Sequence, residues 1–181
     1  MRAYQIAAGA ALALAMSSPV FAQSMGPYDV SYYGTLGYSN LSGTGDNSPD
    51  FNAVTERLGA RFGKYFGVEG EVSEGLNSQR IDLGGTPADV RMNVQYAGYG
   101  VGYLPIMRNA DLFARIGYGG TNFSSSGPDG RFSGEESSWN WGGGGQYFFT
   151  PVDGVRAEYT RYNYNFIPDA NTWSVSYVRK F

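Results

Sequence analysis

The 181-residue chain contains no cysteine and no histidine. Without cysteine an exported domain has no disulfide staple, so packing or closure of the backbone must hold it. Without either residue the usual zinc-ligand sets cannot be assembled. A serine nucleophile would lack its imidazole base and depend on a carboxylate, lysine or tyrosine. The expectation is therefore no enzyme, no metal site and no cofactor. Charge is also scarce, with Asp, Glu, Lys and Arg making up 16% of the chain. The balance is acidic, 13 basic against 16 acidic residues for a net −3, which argues against nucleic acid, a partner that wants a basic face. Long apolar runs are missing too. The run Ile6 to Met16 has eleven residues, well short of the ~20 that span a bilayer as a helix.

That run reads as the core of a signal peptide over residues 1–22. Arg2 supplies the positive start, Ser17, Ser18 and Pro19 break the run, and Val20-Phe-Ala22 offers small residues for cleavage after Ala22. The expected mature domain is 23–181, about 160 residues and one domain long. Loss of Arg2 with the leader takes the formal charge from −3 to −4.

What the chain does have is aromatic residues, 16% of the total, and 27 glycines, roughly twice ordinary glycine usage. It also has alternation. From Phe181 back to Tyr177, Val175 and Trp173, apolar residues stand at every second position except Arg179, with Ser174, Ser176 and Lys180 between them, the pattern of a strand with one apolar face. Eight such segments run near 29–41, 51–63, 66–76, 90–104, 110–123, 137–149, 154–166 and 171–181. The connections alternate between longer ones (42–50, 77–89, 124–136, with a short fourth at 167–170) and short ones (64–65, 105–109, 150–153). An even number of long strands with short turns at one end and long loops at the other is the layout of a transmembrane barrel. In hydrocarbon no backbone donor can stay unpaired, so such a sheet closes on itself. The predicted fold is all-β: an eight-stranded antiparallel up-and-down transmembrane β-barrel.

One face of each segment is apolar. Leu112, Ala114, Ile116 and Tyr118 oppose Phe113, Arg115 and Gly117; Val68 and Val72 oppose Glu69 and Glu71; Leu58 and Ala60 oppose Arg57 and Arg61. An eight-stranded barrel is just filled by side chains, and small residues with charge-paired long ones suit its interior. The candidate lumen charge network is Arg57, Arg61, Glu69, Glu71, Arg91, Arg115, Arg156 and Glu158, with Lys180, Asn93, Gln95 and Gln146 beside it. Aromatics gather toward segment ends, among them Tyr28, Tyr32, Tyr38, Phe62, Phe66, Tyr103, Trp139, Trp141, Tyr147, Tyr162, Tyr164, Phe166 and Trp173, as two girdles at the membrane boundaries would require. Alternation slips near 96–99 and 161–164, which points to bulges or to strand leaving the membrane. Gly142 to Gly145 lacks the Lys-Ser/Thr of a phosphate loop, and Asp46 to Asp50 lacks the glycine and distal glutamate of an EF-hand.

The stretches Gly59-Ala-Arg-Phe-Gly-Lys-Tyr-Phe-Gly-Val-Glu-Gly-Glu71, Phe113-Ala-Arg-Ile-Gly-Tyr-Gly119 and Val155-Arg-Ala-Glu-Tyr159, followed by the aromatic-terminated last strand, resemble the OmpA/OmpX-like family of small outer-membrane β-barrels along the whole mature chain. The resemblance implies a bacterial outer-membrane location and a polar, largely filled interior. It also implies a C-terminal assembly signal, Trp173, Val175, Tyr177 and Phe181, read by the barrel-assembly machinery. No counterpart of the peptidoglycan-binding domain of longer members is expected, so its anchoring role is not carried over. Expected partners are outer-membrane lipid and lipopolysaccharide, and the expected state is a monomer. Two functions fit: a structural and surface-interaction barrel with a charge-paired, plugged lumen and acidic external loops, or a narrow low-conductance porin-like channel for small solutes or ions. The acidic loop residues are Asp46, Asp50, Asp82, Asp89, Asp129, Glu135, Glu136 and Asp169, against Arg80 and Arg131. They either keep the loops solvated or share divalent cations with lipopolysaccharide.

Overall fold

The computed structural model describes residues 30–44, 50–83, 86–127, 130–165 and 168–181. The leader, with Ala22 at its end, and Tyr28, Asp46, Asp129 and Phe166 lie outside the described residues. Nine strands appear among them: β1 (Val30–Gly43), β2 (Asp50–Phe62), β3 (Phe66–Gly75), β4 (Ser78–Leu83), β5 (Thr86–Met107), β6 (Ala110–Gly127), β7 (Gly130–Phe148), β8 (Asp153–Tyr164) and β9 (Ala170–Lys180). Each pairs antiparallel with its neighbours, β9 pairs with β1, and β3 pairs with β5, so the sheet closes. β3 and β4 both pair with β5 and form one wall position, giving a closed eight-stranded barrel. The step between them, at Leu76 and Asn77, is held by β2. Leu76 N–H donates to the Asn52 carbonyl at 2.7 Å, and the Asn77 side-chain oxygen accepts from Asn52 N–H at 2.7 Å. A side chain thus replaces the ladder partner that the break removes.

The short turns lie where the sequence places them. In the turn after β2, Gly63 has a φ of +64°, a left-handed conformation that glycine adopts without a Cβ clash. The opposite end differs. Most of 77–89 and 124–136 is strand rather than loop: β4 and β5 form a hairpin, and β6 and β7 stay paired to Gly127 and Gly130. β5, β6 and β7 reach 22, 18 and 19 residues, about twice the ~9–11 that a tilted strand needs to cross a bilayer. The sheet therefore stands well proud of the membrane on its outer side.

Alternation along β5 breaks elsewhere than the sequence suggests. The ladder shifts at Asn93 and again at Ile106, whereas 96–99 alternates cleanly and β8 alternates through Tyr164. Exposed large apolar side chains such as Leu36, Val68, Leu112, Ile116, Val155 and Val175 form the outward belt, while the buried set includes Arg57, Glu69, Glu71, Arg115, Arg156 and Glu158. A polar inside and an apolar outside is the pattern of a lipid-facing barrel. Trp139, Trp141, Tyr147 and Trp173 face outward, but Tyr103, Tyr162 and Tyr164 of the expected girdles are buried inside. Their parity explains this: Tyr162 and Tyr164 stand at even intervals from Arg156 and Glu158.

Candidate functional site

The charged layer lies midway along the barrel, where β2, β3, β6 and β8 each turn long side chains inward. Arg57 lies opposite Glu71 in the β2–β3 ladder, and Arg115 and the pair Arg156 and Glu158 reach in from the far wall. Every carboxylate is shared. Glu71 accepts from Arg57 Nε at 2.6 Å and Arg115 Nη1 at 2.8 Å, and from the hydroxyls of Tyr99 at 3.2 Å and Tyr162 at 3.1 Å. Glu158 accepts from Arg57 Nη2, from Arg156 Nε at 2.8 Å and from Ser174 Oγ at 3.1 Å, with Arg115 Nη2 at 2.9 Å. Glu69 accepts from Arg156 at 2.5 and 3.1 Å and from the Tyr33 hydroxyl at 2.5 Å. Three arginines and three glutamates thus form one neutral network, buried on all sides. Such geometry meets the condition under which buried charge is tolerated, with each ion both paired and hydrogen-bonded. Aromatic rings add to it: the guanidinium of Arg115 lies 4.1 Å from the centre of the Tyr99 ring and that of Arg156 3.9 Å from the Phe113 ring.

Small residues make the room. The ring of Tyr33 lies over Gly59, where an added Cβ would come within 2.2 Å of Tyr33 Cζ. At Gly144 a Cβ would meet the Ala157 carbonyl oxygen at 2.1 Å and the Glu158 side chain at 2.8 Å.

Apolar clusters bound the layer at both ends. On the outer side are Leu41, Phe51, Ala53, Met92, Tyr162, Tyr164 and Ala170. On the inner side Tyr33, Tyr103, Phe113, Phe148 and Val178 belong to the other cluster. Below that, Arg61 bonds Asp111 at 2.9 Å, Gln146 donates to the same carboxylate at 2.9 Å, and Lys180 sits 3.4 Å over the Phe148 ring.

Of the sequence-selected residues, Arg57, Glu69, Glu71, Arg115, Arg156 and Glu158 come together. Arg61 faces the lumen but pairs with Asp111, not with Glu69 or Glu71. Its β3 partner is Gly67, two residues below Glu69. Arg91 is a correction. It is exposed, with its guanidinium 3.5 Å from the Gly75 carbonyl, because the extra residue at Asn93 reverses the alternation and puts Met92 inside. Asn93 is half-buried and accepts from Ser124 at 3.3 Å, and Gln95 lies inside near the Tyr164 hydroxyl. Asp111, Tyr33, Tyr99 and Tyr162 belong to the lumen network and escape the sequence reading. Asp111 shares parity with Arg115, and Tyr162 with Arg156, so a signal was present. Trp173, Val175 and Tyr177 face outward on β9, and Phe181 N–H donates to the Tyr32 carbonyl at 2.9 Å.

With every carboxylate saturated by guanidinium and hydroxyl donors, the layer offers no free base. Among the described residues, the buried polar atoms Thr35 Oγ1, Arg57 Nη1, Arg115 Nε, Thr172 Oγ1 and Ser176 Oγ have no hydrogen-bond partner. Three of these lie on the adjoining strands β1 and β9.

The chain is similar to solved structures of small outer-membrane barrels. The attachment invasion locus protein Ail of Yersinia pestis, in complex with the heparin analogue sucrose octasulfate, is 16% identical with a TM-score of 0.60, over 85% of this chain and 99% of that one. Neisserial surface protein A is 10% identical with a TM-score of 0.62, over 84% and 99%. The N-terminal β-barrel domain of Pseudomonas aeruginosa OprF is 10% identical with a TM-score of 0.56, over 83% and 97%. At these identities the likeness is one of fold. No curated protein sequence matches. The family model for the outer membrane protein beta-barrel domain matches residues 8–181. By that match across nearly the whole chain, and by its inverted polarity, the protein belongs to the outer membrane protein beta-barrel family and resides in the bacterial outer membrane.

Proposed function

We propose that this is a closed, non-conducting barrel, a rigid structural anchor that carries an acidic sheet extension above the outer membrane for surface interaction. One observation carries the reading: a neutral, fully shared charge layer lies between apolar clusters on both sides. Opening a path would separate buried charges that compensate one another, which is strongly unfavourable as long as the layer stays dry. Outer-membrane lipid and lipopolysaccharide are the surroundings of this reading, the barrel-assembly machinery its assembly partner, and a monomer its state.

The outer end is acidic. Asp50, Asp89, Glu135, Glu136 and Asp169 stand there with Arg91 and Arg161, and Arg161 is tied to Asp169 at 2.8 Å. Arg80 and Asp82 fall on β4 and Arg131 on β7. A sulfated polyanion like the ligand in the Ail complex is the wrong charge for this rim. Solvation of the extension, with divalent cations shared with lipopolysaccharide as the stronger form, suits it better.

A narrow channel is the second reading. The unpaired hydroxyls of Thr35, Thr172 and Ser176 favour it, since they line one side of the lumen where water would satisfy them. The deciding experiment is single-channel recording of the refolded protein in a planar bilayer, with folding checked by heat-dependent gel mobility. A silent bilayer is the expected result. Reproducible small steps that change in Glu71→Gln would overturn the closed reading in favour of the channel.

A further inference from the structure

The lipid-facing belt is not smooth. Across β6 to β9 one row reads Leu112, Gly145, Ala157 and Val175, in register. Gly145 and Ala157 leave a floor between larger neighbours, and the hollow they form, about 340 Å³, is walled by Leu112, Tyr147, Val155 and Val175. Those walls are apolar and face outward, from Tyr177's side of the barrel round to Leu112. The hollow extends toward the inner end of the barrel. Ile106, beside the β5–β6 turn, lines it, whereas Trp141, Tyr159 and Trp173 on the outer side do not. Two residues beyond Ile106 stands Arg108, exposed in that turn and making no ion pair among the described residues. Short turns face the periplasm in barrels of this kind, so Arg108 lies at the headgroup level of the periplasmic leaflet.

We infer that this hollow is a fixed lipid site: one acyl chain of a periplasmic-leaflet glycerophospholipid fills it, and the lipid phosphate pairs with Arg108. An apolar trough open to hydrocarbon is filled by a chain whose packing the protein's shape dictates. The cation at its periplasmic end complements the phosphate, and its position selects that leaflet over the lipopolysaccharide leaflet. A second copy of the barrel would also bring apolar surface to the hollow, but its carboxylate at this level, Asp153, is already engaged by Arg179 and Tyr177.

Gly145→Leu places a side chain on the floor, where the backbone leaves room for it to start: an added Cβ meets only Leu112 Cδ2 at 3.6 Å and the Asp111 carbonyl at 3.8 Å. Gly100→Leu is the control. It too faces outward, on β5, with only the Ile116 carbonyl oxygen within 4 Å of an added Cβ, at 3.9 Å. The experiment is native mass spectrometry of the refolded full-length mature protein in detergent micelles titrated with phosphatidylglycerol, with heat-dependent gel mobility confirming that each variant folds. The expected result is one retained lipid on the wild type and on Gly100→Leu, none on Gly145→Leu, and roughly fivefold weaker retention on Arg108→Gln, the share of one basic residue at an anionic surface. Equal retention by wild type and Gly145→Leu, or equal loss in Gly100→Leu, overturns the proposal. So does a wild-type dimer that Gly145→Leu disperses, which would make a second copy the occupant.

Discussion

Glu71 is the residue on which most of the lumen converges, with two guanidinium groups and two tyrosine hydroxyls bonded to one carboxylate. Glu71→Ala leaves Arg57 and Arg115 to share Glu158, with one buried positive charge uncompensated, and should cost about 3–5 kcal/mol in urea unfolding from detergent micelles. The exchanged pair Arg57→Glu with Glu71→Arg looks on the sequence like a rescue. In the folded protein it sets a new arginine beside Arg115 while Glu158 loses Arg57, so it should recover little of that loss. A double variant as stable as wild type would show that Arg115 does not share Glu71. Packing gives a second case. Gly59→Ala pushes against the Tyr33 ring, whose hydroxyl bonds Glu69, and such overpacking costs about 1–3 kcal/mol. That the charges of β2, β3, β6 and β8 share one face of each strand was legible from period-two parity; that this face is the lumen followed only from reading the sheet as a lipid-facing barrel. Which arginine meets which glutamate was not, because Arg156 reaches Glu69 and Arg57 reaches Glu158 from across the lumen, and one strand's pattern carries no information about the opposite wall.

At the scale of the strand, the positions of the barrel-crossing segments and of the short turns were readable, since a lipid-facing side chain must alternate with a lumen-facing one. The extensions of β5, β6 and β7 were not. Above the membrane neither face needs to be apolar, so alternation fades while backbone pairing continues through glycine- and serine-rich sequence that otherwise reads as loop. The bulge at Asn93 was hidden for a related reason: one extra residue leaves composition unchanged and reverses every position beyond it. It makes a sharp test. In a chain without native cysteine, Arg91→Cys should react readily with a membrane-impermeant maleimide added from outside, and Met92→Cys should be protected. The reverse order would place the bulge elsewhere or remove it.

For the whole molecule, closure matters more than any single contact. An isolated sheet edge in hydrocarbon leaves a row of unpaired donors and acceptors, so a chain cut after Asp169, which lacks β9, should give no heat-modifiable gel band and should aggregate instead of inserting. A compact, shifted band from that fragment would mean that β1 and β8 can pair directly. The seam joins the first strand to the last, Tyr33 beside Lys180 through Gly43 beside Ala170. Contacts so distant along the chain form late and slowly, because loop-closure entropy is lost before they form. The barrel therefore cannot complete itself strand by strand as the chain crosses the inner membrane. Until the final residues arrive, a polypeptide with one greasy side must cross the periplasm with both edges open, and its survival there depends on escort rather than on its own stability.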